Sequence, residues 1–153
     1  MRERFEGYRQ ALSEGGLEFR RELVQELGPA LTASRPTDVG LDIFGYQAMH
    51  KLLMSPERPD AVLLLWDELA PGALNAIRNS RLNVPEDIAL VGFNDDSFCT
   101  LLTPPLTTIR QPARRMGELA ARQLIELAGG GAVPPETVLQ NQLIRRGSTD
   151  AAF

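Results

Sequence analysis

Apolar positions along this chain switch between two rhythms. Arg2–Ser13 sets Phe5, Tyr8, Ala11 and Leu12 at helical spacing, and Gly15-Gly16 ends the run. Leu23–Leu27 reads as a short strand or a helical turn, and Pro29 and Pro36 bracket a loop. Asp42 reads as the cap of a helix to about Met54, with Tyr46, Met49 and Leu53 on its buried face. Ala61–Leu65 (AVLLL) is continuously apolar, the mark of a strand covered on both faces. Asp67 then reads as the cap of a helix through about Asn79 that turns Leu69, Ala73, Leu74 and Ile77 inward, with Pro71 in its first turns. Ile88–Phe93 (IALVGF) is a second buried strand.

From Leu106 the character changes. Thr107–Ile109 reads as a strand, and Pro112 opens an amphipathic helix using Met116, Leu119, Ala120, Gln123, Leu124 and Leu127. Gly129–Gly131 stops it. Val138–Leu139 and Leu143–Ile144 read as a terminal hairpin or two edge strands, with Asn141 near the bend. The alternation of helical and strand signals predicts an α/β protein with a mainly parallel sheet, and the two βα units after Asp42 carry that expectation.

The bulk properties narrow the classes. At 153 residues, 43% apolar and 24% charged, the chain suits one ordinary globular domain. A net charge of −4 argues against direct DNA binding, which needs clustered cations to neutralise phosphates. The densest basic pairs, Arg114–Arg115 and Arg145–Arg146, have separate helix and strand explanations. Cys99 is the one cysteine, so an internal disulfide and a thiolate metal site are excluded, which fits a reducing cytoplasm. The opening MRERFEGYRQ is charged where a signal peptide needs an apolar run, and a membrane partner is not expected.

Enzyme signatures are weak. The chain has no GxGxxG, P-loop, GxSxG or HExxH, and neither a cofactor nor a catalytic triad is expected. His50 reads as a solvated histidine on a helix face. Among the carboxylate pairs, Asp67-Glu68 reads as a helix start and Glu86-Asp87 as the turn feeding a buried strand. Asn94–Asp96 differs, because it follows a strand at its carboxyl end, the edge where open α/β sheets bind ligands. A ligand role is expected for Asn94 and not for Asp96.

Four blocks stand together in a set order: PDAVLLLWDELAPGAL (Pro59–Leu74), NVPEDIALVGFNDD (Asn83–Asp96), PPLTTIRQ (Pro104–Gln111) and LIRRGST (Leu143–Thr149). With them the chain resembles the effector-binding core of the LacI/GalR family of bacterial transcriptional regulators. The likeness extends more weakly to RERFEGYRQAL (Arg2–Leu12) and FGYQAMHKLL (Phe44–Leu53), leaving Glu14–Leu41 as the variable part. It implies a three-layer sandwich with a mainly parallel sheet, the C-terminal lobe of a periplasmic-binding-protein-like type I fold, here incomplete. Residues 1–106 would be that lobe, 107–142 a crossover plus a helix normally packed in the N-terminal lobe, and 143–153 a return strand and tail. The chain starts far downstream of a helix-turn-helix and is expected to be a truncated product, touching operator DNA only through that missing head.

The resemblance also supplies site residues. Arg4 matches an arginine that grips ligand hydroxyls or carboxylates; the alternative is a solvent-facing arginine. Trp66 stands where a polar residue is usual, either to stack on a sugar or nucleobase or to pack in the core. Asn94 replaces an aspartate, so a charged acceptor becomes a group that donates and accepts. Gln111 matches a crossover residue that reaches the cleft, while Gly40 stands where an aromatic is often found. Dimer contacts are implied for the helix carrying Leu69 and Ala73 and for FCTLL, with Phe98, Leu101 and Leu102. The implied partners are a small-molecule effector, a sugar or nucleoside-like compound, and a second copy, as a homodimer or domain-swapped oligomer. The alternatives are a periplasmic-type sugar-binding protein and, more remotely, a small α/β enzyme using Asp95 and Asp96.

Overall fold

Among the described residues four strands form one sheet, in the order in which they occur along the chain. The computed structural model describes residues 2–26 and 40–150. The expected loop at Pro29 and Pro36 lies outside them. The strands are β1 (Ala61–Leu63), β2 (Ala89–Asn94), β3 (Thr107–Arg110) and β4 (Gln142–Ile144). β1, β2 and β3 run parallel, with Leu63, Val91 and Thr107 side by side, and β4 adds antiparallel to β3. The helices are α1 (Arg2–Glu14), α2 (Leu41–Leu53), α3 (Ala70–Asn79) and α4 (Ala113–Ala128).

Side chains alternate across a strand, so β2 turns Leu90 and Gly92 to one face and Val91 and Phe93 to the other. The first face holds the core, where Met49 of α2 and Ala73 and Ile77 of α3 pack with Leu64, Leu90 and Leu106. α2 and α3 approach closely because glycines sit between them. A Cβ on Gly72 would lie 1.7 Å from the Asp42 carbonyl oxygen, and one on Gly45 2.1 Å from that of Leu69. α1 addresses the second face, through Arg4 on the Phe93 ring.

Several local expectations change. Gly40, not Asp42, is the N-cap of α2; Met49 is buried on that helix as expected, Tyr46 and Leu53 pack half-buried against the core, and Leu52 joins them as a buried residue. Of the strand or helical turn expected at Leu23–Leu27, the described residues show a 3-10 turn over Arg21–Leu23 and no strand. β1 is not covered on both faces: it is the sheet's edge, and Leu63 is 50% exposed. Val138–Leu139 makes no hairpin, since β4 takes β3 as its partner and Val138 is exposed.

The LIRRGST segment explains itself by hydrogen bonding. Ser148 is fully buried where β2 and β3 begin to diverge. Its hydroxyl donates to the Leu90 carbonyl (2.6 Å) and accepts from the Thr107 amide (2.8 Å), while its carbonyl accepts from the Leu90 amide (3.0 Å). A serine there satisfies backbone groups that the parallel ladder leaves open. The Thr107 hydroxyl meets that of Thr149 at 2.7 Å. α4 lies outside the core: like α1 it has no buried residue, and Leu124, Ile125 and Leu127 are exposed. Among the described residues no helix is long and apolar enough to cross a membrane.

Candidate functional site

The carboxyl ends of β1, β2 and β3 lie at one edge of the sheet because the three strands are parallel. Each delivers one of the expected residues there: Trp66 just after β1, Asn94 closing β2 and Gln111 just after β3. The Gln111 amide donates to the Asn94 side-chain oxygen at 2.9 Å. Arg4 comes from α1, outside the sheet. It donates to the Leu65 carbonyl at 2.8 Å, and its guanidinium carbon stands 3.5 Å from the centre of the Phe93 ring. Stacking on an aromatic face and one backbone bond fix a side chain that would otherwise be mobile. Burial lowers the Arg4 pKa from its ordinary value. Trp66 is half-buried and packs against the core while sitting at this edge.

The backbone at the edge is held in a sparsely populated conformation. Asn94 and Asp95 have φ of +126° and +61°, in the left-handed half of the map that residues other than glycine seldom enter. Each such residue costs on the order of 1–3 kcal/mol and persists only where surrounding contacts over-determine it. Those contacts are on Asp95, whose side chain is 7% exposed. It accepts from Arg110 Nε and Arg146 Nη2, both at 2.6 Å. Burial by itself would raise the Asp95 pKa. The hydrogen bonds and charges of Arg146 and Arg110 outweigh it and hold the carboxyl below its ordinary value.

A second carboxylate lies beneath. Asp67 is fully buried and does not cap a helix through its side chain. It accepts instead from the Thr108 hydroxyl (2.7 Å) and the Asp96 amide (2.9 Å), tying the chain after β1 to β3 and to the turn after β2. Burial first, then the Asp67 carboxylate beside it, pushes the Cys99 thiol up to about 12. Asp95 is thus occupied by arginines and Asp67 is sealed in the core. Among the described residues no cluster of His, Cys, Asp or Glu could hold a metal ion.

Sequence reasoning did not single out Phe93, Arg110 or Arg146. Phe93 had a signal, an aromatic at the strand end next to Asn94; Arg146 had none, because its partner lies 51 residues away. The residues expected at a dimer contact separate into two groups. Leu69 and Ala73 are 5% and 0% exposed and belong to this chain's own core, so they present no surface to a partner. Phe98 and Leu102 are half-buried against that core, whereas Leu101 is 81% exposed.

A sequence profile of the periplasmic binding protein-like domain matches residues 1–149. The chain belongs to that family. Within it, the relatives are LacI-family regulators, as the four sequence blocks implied, and it is their effector-binding part that corresponds. The HTH-type transcriptional regulator RegA of Clostridium saccharobutylicum is 33% identical over 148 residues, which is 96% of this chain and 41% of RegA. The ribose operon repressor of Escherichia coli (strain K12) is 40% identical over 122 residues, 80% of this chain and 34% of that repressor. Among solved structures, a regulatory protein of LacI family from Chloroflexus aggregans superposes with a TM-score of 0.81 at 29% identity, over 95% of this chain and 49% of that one. The chain therefore spans less than half the length of these relatives. The periplasmic-binding-protein-like fold is present, in part: a mixed four-stranded sheet with helices.

Proposed function

We propose that this chain is the effector-binding and dimerisation segment of a LacI-type transcriptional regulator, sensing a sugar or related metabolite in the cytoplasm. One observation supports it above the others. Trp66, Asn94 and Gln111 lie at the carboxyl ends of three parallel strands, where the backbone is strained and pinned, and Arg4 reaches them from α1. In this reading residues 1–106 are one lobe, 107–142 a crossing and a helix for the other lobe, and 143–153 the return. The site is donor-rich: Arg4 is a cation, and Asn94, its carbonyl engaged by Gln111, would meet a ligand through its amide nitrogen. Such a half-cleft suits hydroxyl and ring-oxygen acceptors, with Trp66 as the apolar wall.

Titration calorimetry with D-ribose, D-glucose and adenosine tests the reading. Heat of binding from at least one, lost in Asn94→Ala and Gln111→Ala, is the expected result; silence with all three, at concentrations up to tens of millimolar, defeats it. An acidic chain with net charge −4 is assigned no operator contact of its own, so a gel shift at physiological salt is expected to show none.

Self-association is assigned to Leu101 and to the exposed apolar face of α4. Sedimentation at micromolar concentration is expected to show a dimer or larger species in the parent chain. The double variant Leu124→Glu, Ile125→Glu is expected to sediment as a smaller one. A parent chain that runs as a monomer would refute this part.

A further inference from the structure

Two chain segments leave the sheet side by side at the candidate site. β3 runs outward through Arg110 and Gln111, and β4 runs inward through Gln142–Ile144 to Arg146, with Arg110 opposite Gln142 in the ladder. Both meet one carboxylate. Asp95 takes Arg110 Nε on one oxygen and Arg146 Nη2 on the other, each at 2.6 Å. The second Arg146 nitrogen reaches the Leu106 carbonyl at 2.7 Å, so the fork is used on both prongs. Asp95 is also bonded through its backbone, its amide donating to the Thr108 hydroxyl at 3.3 Å.

The neighbour of Asp95 is Asn94, which is bonded to Gln111, the neighbour of Arg110. The same two turns are therefore linked twice, once by the amides of Asn94 and Gln111 and once by the ion pair behind them. The amide bond is a single neutral contact at the cleft. The ion pair is charge-assisted, and its Arg146 limb is largely buried while Arg110 is exposed, so it is the stronger of the two. Asn94 and Asp95 both sit at positive φ, and an unheld chain would relax out of that region.

We propose that Asp95 is a positioning residue for effector binding: without touching the ligand, it holds the Asn94–Gln111 pair in shape and fastens it to both chain crossings. This rests on the reading of Asn94 and Gln111 as effector contacts. It assigns to the buried carboxylate the task of making ligand geometry at the edge and crossing geometry behind it a single variable. Arg146, remote in sequence from every ligand residue, becomes part of the site through it.

Hydrogen exchange by NMR on the 15N-labelled chain tests the proposal without needing a ligand. Asp95→Asn keeps the shape and removes the charge. In it, the amides of Asp95, Asp96 and Gln111 are expected to exchange about ten-fold faster or more, as a local opening, while those of Met49, Ile77 and Leu90 keep their protection. Arg146→Lys keeps a charge and loses the fork, and is expected to fall between the two. Should Asp95→Asn not fold, Arg146→Lys answers the same question alone. Unchanged exchange at 95, 96 and 111 would overturn the proposal, and so would loosening spread evenly over the core, which would mark a general anchor. Asp95→Glu, which restores the charge, is expected to recover part of the protection, and no recovery would also count against it. Silence of the parent chain towards D-ribose, D-glucose and adenosine is a separate result that removes the effector reading and leaves the exchange measurement to decide whether Asp95 holds the pair.

Discussion

The Thr108 hydroxyl donates to the buried Asp67 carboxylate at 2.7 Å, joining the chain after β1 to β3 across the intervening strand β2. Gly92 of β2 makes the reach possible: a Cβ there would stand 2.1 Å from the same Asp67 oxygen. A charge enclosed in a core must have every oxygen answered, and the Asp96 amide answers the second.

Replacing Thr108 by valine keeps the volume and removes the donor. The Asp67 oxygen is then left without its hydroxyl partner, at a cost of about 1–3 kcal/mol in unfolding free energy. Thr108→Ser, which keeps the hydroxyl, is expected to lose less. Urea denaturation of the two variants against the parent chain gives the comparison, and equal losses would contradict this account.

Acid should weaken the chain through Asp95. Its carboxyl lies below the ordinary value in the folded chain, so the unfolded chain binds the proton more readily. The stability this provides is complete above about pH 4, the unfolded value, and is lost as pH falls from there through the lowered folded value. In Asp95→Asn the urea midpoint is expected to be lower at pH 7 and to fall less steeply between pH 5 and pH 3. Parallel pH profiles for the two proteins would be the contrary result.

Cys99 should be inert while the chain is folded. The residue is buried and its thiol is pushed up to about 12 by burial and by the neighbouring Asp67 carboxylate, so the reactive thiolate is scarce at pH 8. Ellman's reagent is expected to release colour only on unfolding, in step with loss of the circular dichroism signal. Rapid reaction of the native chain would show the environment to be otherwise.

Gly72→Ala places a methyl group against the backbone of α2, 1.7 Å from the Asp42 carbonyl oxygen. Neither main chain can yield without parting the two helices, so the loss should be at least about 3 kcal/mol, near the limit of what a domain tolerates. Asn75→Ala, on the exposed side of the same helix, is the control and is expected to change little. Thermal unfolding separates the two.

These side chains show where a sequence speaks and where it is silent. AVLLL and IALVGF announce themselves as neighbouring parallel strands because apolar runs of that length have few other uses. Asn94 could be placed at the edge because the end of a strand is itself a local signal, whereas Gln111 was expected there only through the resemblance to LacI/GalR regulators. Asp67 was misread for the opposite reason. An aspartate before a helix resembles a cap, yet its partner is Thr108, 41 residues on, and nothing nearby announces that. Leu69 and Ala73 likewise carry the apolar character of an interface and of a core alike, and only the packing distinguishes them. The arginines on Asp95 were legible as charge and illegible as geometry.

The β3–β4 ladder sets Thr108, Ile109 and Arg110 against Ile144, Leu143 and Gln142. Sliding one strand past its neighbour would break all these pairings at once, whereas flexing both together across the ribbon breaks none. α4 is therefore tethered at both ends to one ladder, and its two attachments cannot slip past each other without breaking that ladder.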